Sequence, residues 1–200
     1  MNGQTPAVDA VRASQDHAAA MADMAADEAS KANPSVVMGP DHVPLPQGAE
    51  ITAEALVEAI LRMAKTFESP NDMAQAHVAK VASIGMLPDS QGERTGVQGV
   101  IGKGRYEFAV WERYKTNPGE SGELTVRPSE ACELSFRSLN DPLIAAGFSV
   151  TKSAPGFKPI IYFGRELRSG YGLHVILSAD SHSDPKCVSR VRLEMEPTDG

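Results

Sequence analysis

Residues Arg105–Lys115 alternate with a period of two and hold four of the chain's eleven aromatic residues, including its single Trp. Tyr106, Phe108, Val110 and Tyr114 fall on one side, and Glu107, Ala109, Trp111 and Arg113 on the other. A 3.6-residue helix cannot separate these two sets, whereas a pleated strand does. The stretch is therefore read as a strand with one core-facing side and one mixed side. A ring as large as Trp111 on the mixed side needs cover from a helix or from a partner.

The glycines before this strand, Gly96, Gly99, Gly102 and Gly104, have a spacing reminiscent of phosphate loops. Such a loop feeds the N-terminus of a helix, and this one feeds a strand. The expected structure is a hairpin, with Val97–Ile101 turning through Gly102-Lys103-Gly104 into 105–115.

Two helices are expected ahead of the hairpin. In the first, 51–67, Thr52 is the N-cap, Glu54 lies in the first turn, and Ile51 is placed to staple onto Leu56. Leu56, Ile60, Met63 and Phe67 form its apolar stripe. In the second, Ser69-Pro70-Asn71-Asp72 reads as the cap, Met73, His77, Val81 and Ile84 share a face, and Gly85 closes the C-terminus. His77 is expected as a hydrogen-bonded core histidine.

Beyond the hairpin, Asn117-Pro118-Gly119 is a turn and Glu123–Arg127 an edge or terminal strand ahead of Pro128. Cys132, Leu134 and Phe136 alternate as a further strand. Asp141-Pro142 opens a short helix that Gly147 closes. Phe148–Thr151, the apolar run Ile160–Phe163 that fits a central strand or one covered on both faces, Leu173–Leu177, and a last strand bearing Cys187, Val191, Leu193 and Met195 on one face complete the pattern. Strands joined by short turns pair antiparallel. The expectation is an α+β fold: an N-terminal helix pair packed on a mostly antiparallel sheet of about six strands, with one short helix inserted between strands.

Residues 1–50 read as a flexible acidic, Ala- and Pro-rich tail or tether, and residues 51–200 as a single domain. The tail holds seven acidic and two basic residues, so five of the chain's seven net negative charges belong to it. Its Ala-rich part favours helix, and Met21 and Met24 are its candidate contacts. His17 and His42 carry no signal. No basic stripe is present, which argues against nucleic acid as a partner. No apolar run reaches the roughly 18–20 residues that a membrane span needs. The polar N-terminus fits an exported chain with a lipid anchor upstream, in the periplasm or cell envelope, and equally fits a cytoplasmic chain. Cys132 and Cys187 both fall on core-facing positions, and a bridge between neighbouring strands and a pair of buried thiols are both open readings.

For chemistry, Asp180, His182 and Asp184 alternate and have the donor types for a divalent metal; with His174 they make a candidate for a metal-dependent hydrolase. The same residues are ordinary turn formers next to Pro185, so they are ranked below a reading with no metal, cofactor or catalytic residue. No nucleophile elbow, zincin motif or Walker loop occurs. Arg and aromatic residues gather instead in or beside two turns, Ser153–Pro159 and Glu166–Tyr171, giving Phe157, Arg165, Arg168 and Tyr171 as binding candidates, with Trp111 of the central strand as a further one. Arg190 and Arg192 fit a charged outer sheet face. The expected function is a non-enzymatic protein-binding domain of the bacterial cell envelope, specifically an inhibitor or immunity protein that blocks a secreted enzyme. The alternatives are the metal-dependent hydrolase and a structural component of an envelope or secretion assembly.

Overall fold

The computed structural model describes residues 43–92, 94–111, 121–127 and 132–198, and for Trp111 and 121–127 it describes the backbone alone. The expected contacts of Met21 and Met24, the Asn117–Gly119 turn, and the outward face of the Trp111 ring lie outside the described residues. The chain divides between His42 and Val43, and the second unit, Val43–Gly200, carries the helices and the sheet.

The fold is α+β. Helix α1 (Ala53–Thr66) starts where the sequence places it, because the Thr52 hydroxyl accepts from the Ala55 N–H at 3.1 Å. Its stripe of Leu56, Ile60 and Met63 is buried, as is Phe67 just beyond its end. Ile51, which packs against the core containing Leu56, has a main-chain role as well. Its N–H donates to the Val100 carbonyl at 3.0 Å, so it borders the sheet.

The second helix, α2 (Gln75–Ala82), begins later than expected. The Asp72 carboxylate accepts from the backbone N–H groups of Glu68 and Ser69 at 2.8 and 2.9 Å, and this closes a 3₁₀ turn over Pro70–Met73 ahead of the helix. The later start rotates the helix relative to the expected stripe. Val78 and Ala82 are buried, whereas His77 is partly exposed, with Nε2 3.6 Å from Asp72 Oδ1 and its ring tilted beside Phe67. His77 is therefore not a core histidine. The C-cap is also displaced: Ser83, not Gly85, adopts the left-handed conformation, with φ of 57°.

The sheet has eight antiparallel strands, two more than expected: β1 (Leu87–Pro88), β2 (Arg94–Ile101), β3 (Gly104–Trp111), β4 (Ser121–Arg127), β5 (Ser149–Lys152), β6 (Ile160–Glu166), β7 (Tyr171–Ala179) and β8 (Val188–Pro197). They form two meanders, β1–β4 and β5–β8, joined where β4 pairs with β8, in the order β1-β2-β3-β4-β8-β7-β6-β5. The glycine-rich hairpin forms as read: Ile101 pairs with Gly104 around a tight turn at Gly102, whose φ of +55° suits a residue without Cβ. Strand β4 (Ser121–Arg127) pairs with a strand on each side, so it is not a sheet edge; Pro128 lies outside the described residues.

The sheet's first edge is closed by the segment read as tail. Residues 46–51 run parallel to β2, with Gln98 donating to Pro46 O and receiving from Gly48 N, and Leu45 is 2% exposed. This removes most of an unpaired strand edge. Residues 43–50, read as tail, thus belong with the helices and the sheet.

Helix α3 (Phe136–Ala145) starts earlier than the predicted Asp141 and takes up Phe136 from the predicted strand, of which an isolated bridge between Ser135 and Cys187 is formed. Phe136, Leu139 and Leu143 are its buried residues, a helical i, i+3, i+7 set that the short period-two pattern concealed. Pro142 lies within the helix. One core, drawn from all three helices and the sheet, includes Leu56, Ile60, Tyr106, Phe108, Leu139, Phe163, Val175 and Leu193. Strand β6 is paired on both sides, by β5 and β7, as the central-strand reading has it; it buries Ile161 and Phe163 but leaves Tyr162 exposed, so it is not covered on both faces.

Candidate functional site

The expected binding residues separate to opposite ends of the β6 strand. Phe157 lies in the loop before β6, and Arg165, Arg168 and Tyr171 lie at its far end or beyond. Seven strand residues span about 20 Å, so the two turns are distinct surfaces.

At the far end, Arg165 is occupied in holding the fold together. Its Nη2 donates to the carbonyls of Ala64 and Phe67 at 3.1 and 3.3 Å and lies 3.5 Å from Glu68 Oε1. These are C-terminal carbonyls of α1, which need a donor. The guanidinium also lies 5.2 Å from the centre of the Phe148 ring. Ser169 Oγ donates to Glu68 O at 2.6 Å, fastening the β6–β7 turn to the same helix end. Tyr171 packs against the core, and Arg168 is exposed. Glu68, Arg165, Glu166, Leu167, Arg168 and Ser169 line a shallow groove of about 670 Å³. Its walls carry acids and bases in equal number.

The near end is built differently. The β5–β6 loop, 153–159, leaves Phe157 55% exposed. A side chain of that size gains nothing from folding when it is left in water. The loop is nevertheless well braced. Ser153 N donates to Ile160 O at 2.9 Å, Ile160 N returns a bond to Ser153 Oγ at 3.1 Å, and Ser153 Oγ donates to Lys158 O at 2.8 Å. Pro155 and Pro159 restrict the backbone on either side of Phe157.

The final brace comes from the β7–β8 loop, 180–187. His182 Nε2 lies 2.8 Å from the Phe157 carbonyl oxygen. A carbonyl can only accept, so Nε2 carries the proton in this contact. Lys152 Nζ donates back to His182 O at 3.3 Å. The β7–β8 loop is itself closed by Asp180. Its N–H donates to Cys187 O at 3.1 Å and its Oδ1 accepts from Lys186 N at 2.9 Å. Hydrogen bonds from Lys186 and then from Cys187 hold the Asp180 carboxyl below its ordinary value of 3.8. Asp184 Oδ1 pairs with Lys186 Nζ at 2.9 Å.

The three residues considered for a metal therefore have separate tasks in a turn. Asp180 closes the loop, His182 braces the neighbouring hairpin, and Asp184 meets Lys186. His174 stands six residues before Asp180, about 20 Å back along β7, and pairs across the sheet with Glu194 and Gly164. Among the described residues, no three His, Cys, Asp or Glu side chains gather closely enough to hold a metal ion.

Cys132 and Cys187 form a disulfide, with Cα atoms 5.5 Å apart. They do not face the core: Cys132 is exposed and Cys187 half-buried. The bridge joins the chain entering α3 to the start of β8, next to the backbone bonds Phe136 N to Lys186 O at 2.8 Å and Val188 N to Leu134 O at 2.9 Å.

Sequence reasoning missed one buried polar cluster altogether. Arg94 donates to the Glu107 carboxylate and to the Val43 carbonyl, and its Nε lies 3.5 Å from Asp89 Oδ2. The Arg94, Asp89 and Glu107 side chains are 4%, 3% and 10% exposed. The available signal was an acid in the middle of an aromatic-rich strand, with an Arg on the adjoining hairpin strand. No family model, curated protein or solved structure matches the chain.

Proposed function

We propose that this chain is a non-enzymatic protein-binding protein of the bacterial cell envelope, of the inhibitor or immunity kind, and that its contact element is the β5–β6 hairpin tip carrying Phe157. One observation carries the reading. Phe157 is a large apolar side chain left in solvent on a loop whose backbone is fixed by Ser153, two prolines and His182. Ordering a loop before binding removes a cost that association would otherwise incur, and an aromatic anchor on such a loop is the usual centre of an interface. The disulfide fits an oxidising compartment. Among the described residues no helix is long and apolar enough to cross a membrane.

The test is capture from cell-envelope extract by the immobilised full chain, with Phe157→Ala as the matched control. The reading expects a stoichiometric partner whose affinity falls at least tenfold with the substitution, in keeping with a hot-spot loss of about 2 kcal/mol. A partner retained equally by both proteins, or no stoichiometric partner, overturns it.

A further inference from the structure

We infer that the Cys132–Cys187 disulfide is a redox-controlled fastener of the Phe157 hairpin, acting through the β7–β8 loop; as a regulatory device this rests on the binding role given to Phe157. The coupling runs through consecutive contacts. Cys187 is fixed by its bond to Cys132, and its carbonyl accepts from the Asp180 N–H at 3.1 Å. Asp180 Oδ1 in turn accepts from the neighbouring Lys186 N–H at 2.9 Å. These contacts draw residues 180–187 into a closed loop. From that loop His182 reaches the Phe157 carbonyl, and Lys152 at the base of the hairpin reaches back to the His182 carbonyl. The hairpin tip is thereby held by a loop that the disulfide anchors at one end.

The exposure of the two sulfur-bearing residues sets the chemistry. Cys132 is exposed and Cys187 half-buried, so a dithiol reductant reaches the Cys132 sulfur first. Its thiolate attacks Cys132 Sγ, the protein S–S bond breaks, and Cys187 leaves as a thiolate that takes a proton from water. The second thiol of the reductant then attacks the mixed disulfide and releases Cys132. Two electrons pass to the protein and the reductant leaves as its own disulfide. After reduction the backbone bonds between 134–136 and 186–188 remain to align α3 and β8. What reduction removes is the covalent tie at Cys187, the end of the loop that presents the His182 brace.

The experiment reads the hairpin directly and needs no partner. Chymotrypsin cleaves after Phe157 only when the 153–159 loop can open to enter its active site. Initial cleavage rates at Phe157–Lys158 are measured with the full chain, oxidised and after treatment with dithiothreitol, alongside amide exchange in β3 and β7. Reduction is expected to raise cleavage at Phe157 at least tenfold, with the loop of the reduced protein opening at least tenfold more often than the global unfolding that exchange in β3 and β7 reports. His182→Ala, with the disulfide intact, is expected to reproduce the faster cleavage and to make it insensitive to dithiothreitol. Cleavage unchanged by reduction overturns the inference. So does a reduced protein in which Phe157 is cleaved no faster than the global unfolding read from β3 and β7 exchange allows, because the disulfide then secures the whole fold and not this loop. Failure of the Phe157 binding role would appear instead as partner capture indifferent to Phe157→Ala, leaving these rates as expected.

Discussion

The guanidinium of Arg94 on β2 and the carboxylate of Glu107 on β3 are hydrogen-bonded to each other in the interior of the fold, with Asp89 on the other side of the arginine. Removing one member of such a set leaves a buried charge short of one partner, and breaking a buried pair typically costs about 3–5 kcal/mol. Arg94 also reaches the Val43 carbonyl, so its loss loosens the segment that seals the sheet's first edge. Glu107→Ala and Arg94→Ala are each expected to lower the urea midpoint by that equivalent. The double variant is expected to cost less than the sum of the two. Additive effects would show that the pair is not a unit.

This cluster escaped the sequence reading for a physical reason. Period-two alternation correctly placed Tyr106, Phe108 and Val110 in the core. The same alternation assigned Glu107 and Ala109 to a mixed face, and both are buried. Alternation reports which face a residue is on and not what covers that face, and here part of the cover comes from non-local chain near Val43. The Thr52 cap and the Gly102 turn were legible because their causes are local, lying within three or four residues. The start of α2 has a local cause too, the Asp72 carboxylate, but the cap it forms closes a 3₁₀ turn ahead of the helix. The early start of α3 and the surface position of the disulfide depend on partners further away or on patterns too short to separate the two periods. The Phe157 loop was visible as a rigid turn. Its brace from His182, 25 residues on, was not, and the alternating Asp180, His182 and Asp184 invited a metal reading in its place.

The turn between α1 and α2 makes a pH prediction. Burial pushes the Asp72 carboxyl up, but the N–H groups of Glu68 and Ser69, the nearby His77 and the Ser69 hydroxyl together outweigh it, and the net shift is below the ordinary 3.8. A carboxyl depressed in the folded state binds protons more readily when unfolded. Its stabilisation is therefore complete above the unfolded value and lost as pH falls through the folded one. Asp180 adds to the same limb. Thermal melts should show stability falling below about pH 4, and Asp72→Asn should flatten that fall while lowering stability at pH 7. An acid limb unchanged in Asp72→Asn would remove the assignment.

Gly96 in β2 is expected to tolerate no side chain. A Cβ there would come 2.2 Å from the Phe108 carbonyl oxygen and 2.8 Å from Ala109 Cα, both backbone atoms that cannot rotate away. Gly96→Ala forces the β2–β3 ladder to shift, at a cost of about 1–3 kcal/mol by analogy with overpacked cores. The control is Gly85→Ala, where nothing lies within 4 Å of the new atom and φ is not left-handed. Chemical denaturation should separate the two clearly, and equal midpoints would contradict the close approach.

The disulfide closes a separation of 55 residues. In the chain-entropy account, a loop of that length contributes about 4 kcal/mol by restricting the unfolded chain. Cys132→Ser with Cys187→Ser should lose stability of this order in urea under oxidising conditions, and dithiothreitol should have no further effect on the double variant. A loss well under about 1 kcal/mol would mean that residual contacts near 134–136 and 186–188 already confine the unfolded chain.

Two phenylalanines on either side of the β6 start give the sharpest separation between what folds the protein and what is left for a partner. Phe163 is fully buried among the core residues, and Phe157 is more than half exposed. Phe163→Ala removes a packed ring and leaves a cavity, which costs about 3–5 kcal/mol. Phe157→Ala removes a ring from water and leaves its brace intact, because His182 contacts the backbone carbonyl and not the ring. Its stability is expected within about 0.5 kcal/mol of the parent, as for surface positions generally. A Phe157→Ala chain destabilised as much as Phe163→Ala would mean that the ring already has a site to fill within this molecule, and the proposed contact surface would have to be sought elsewhere.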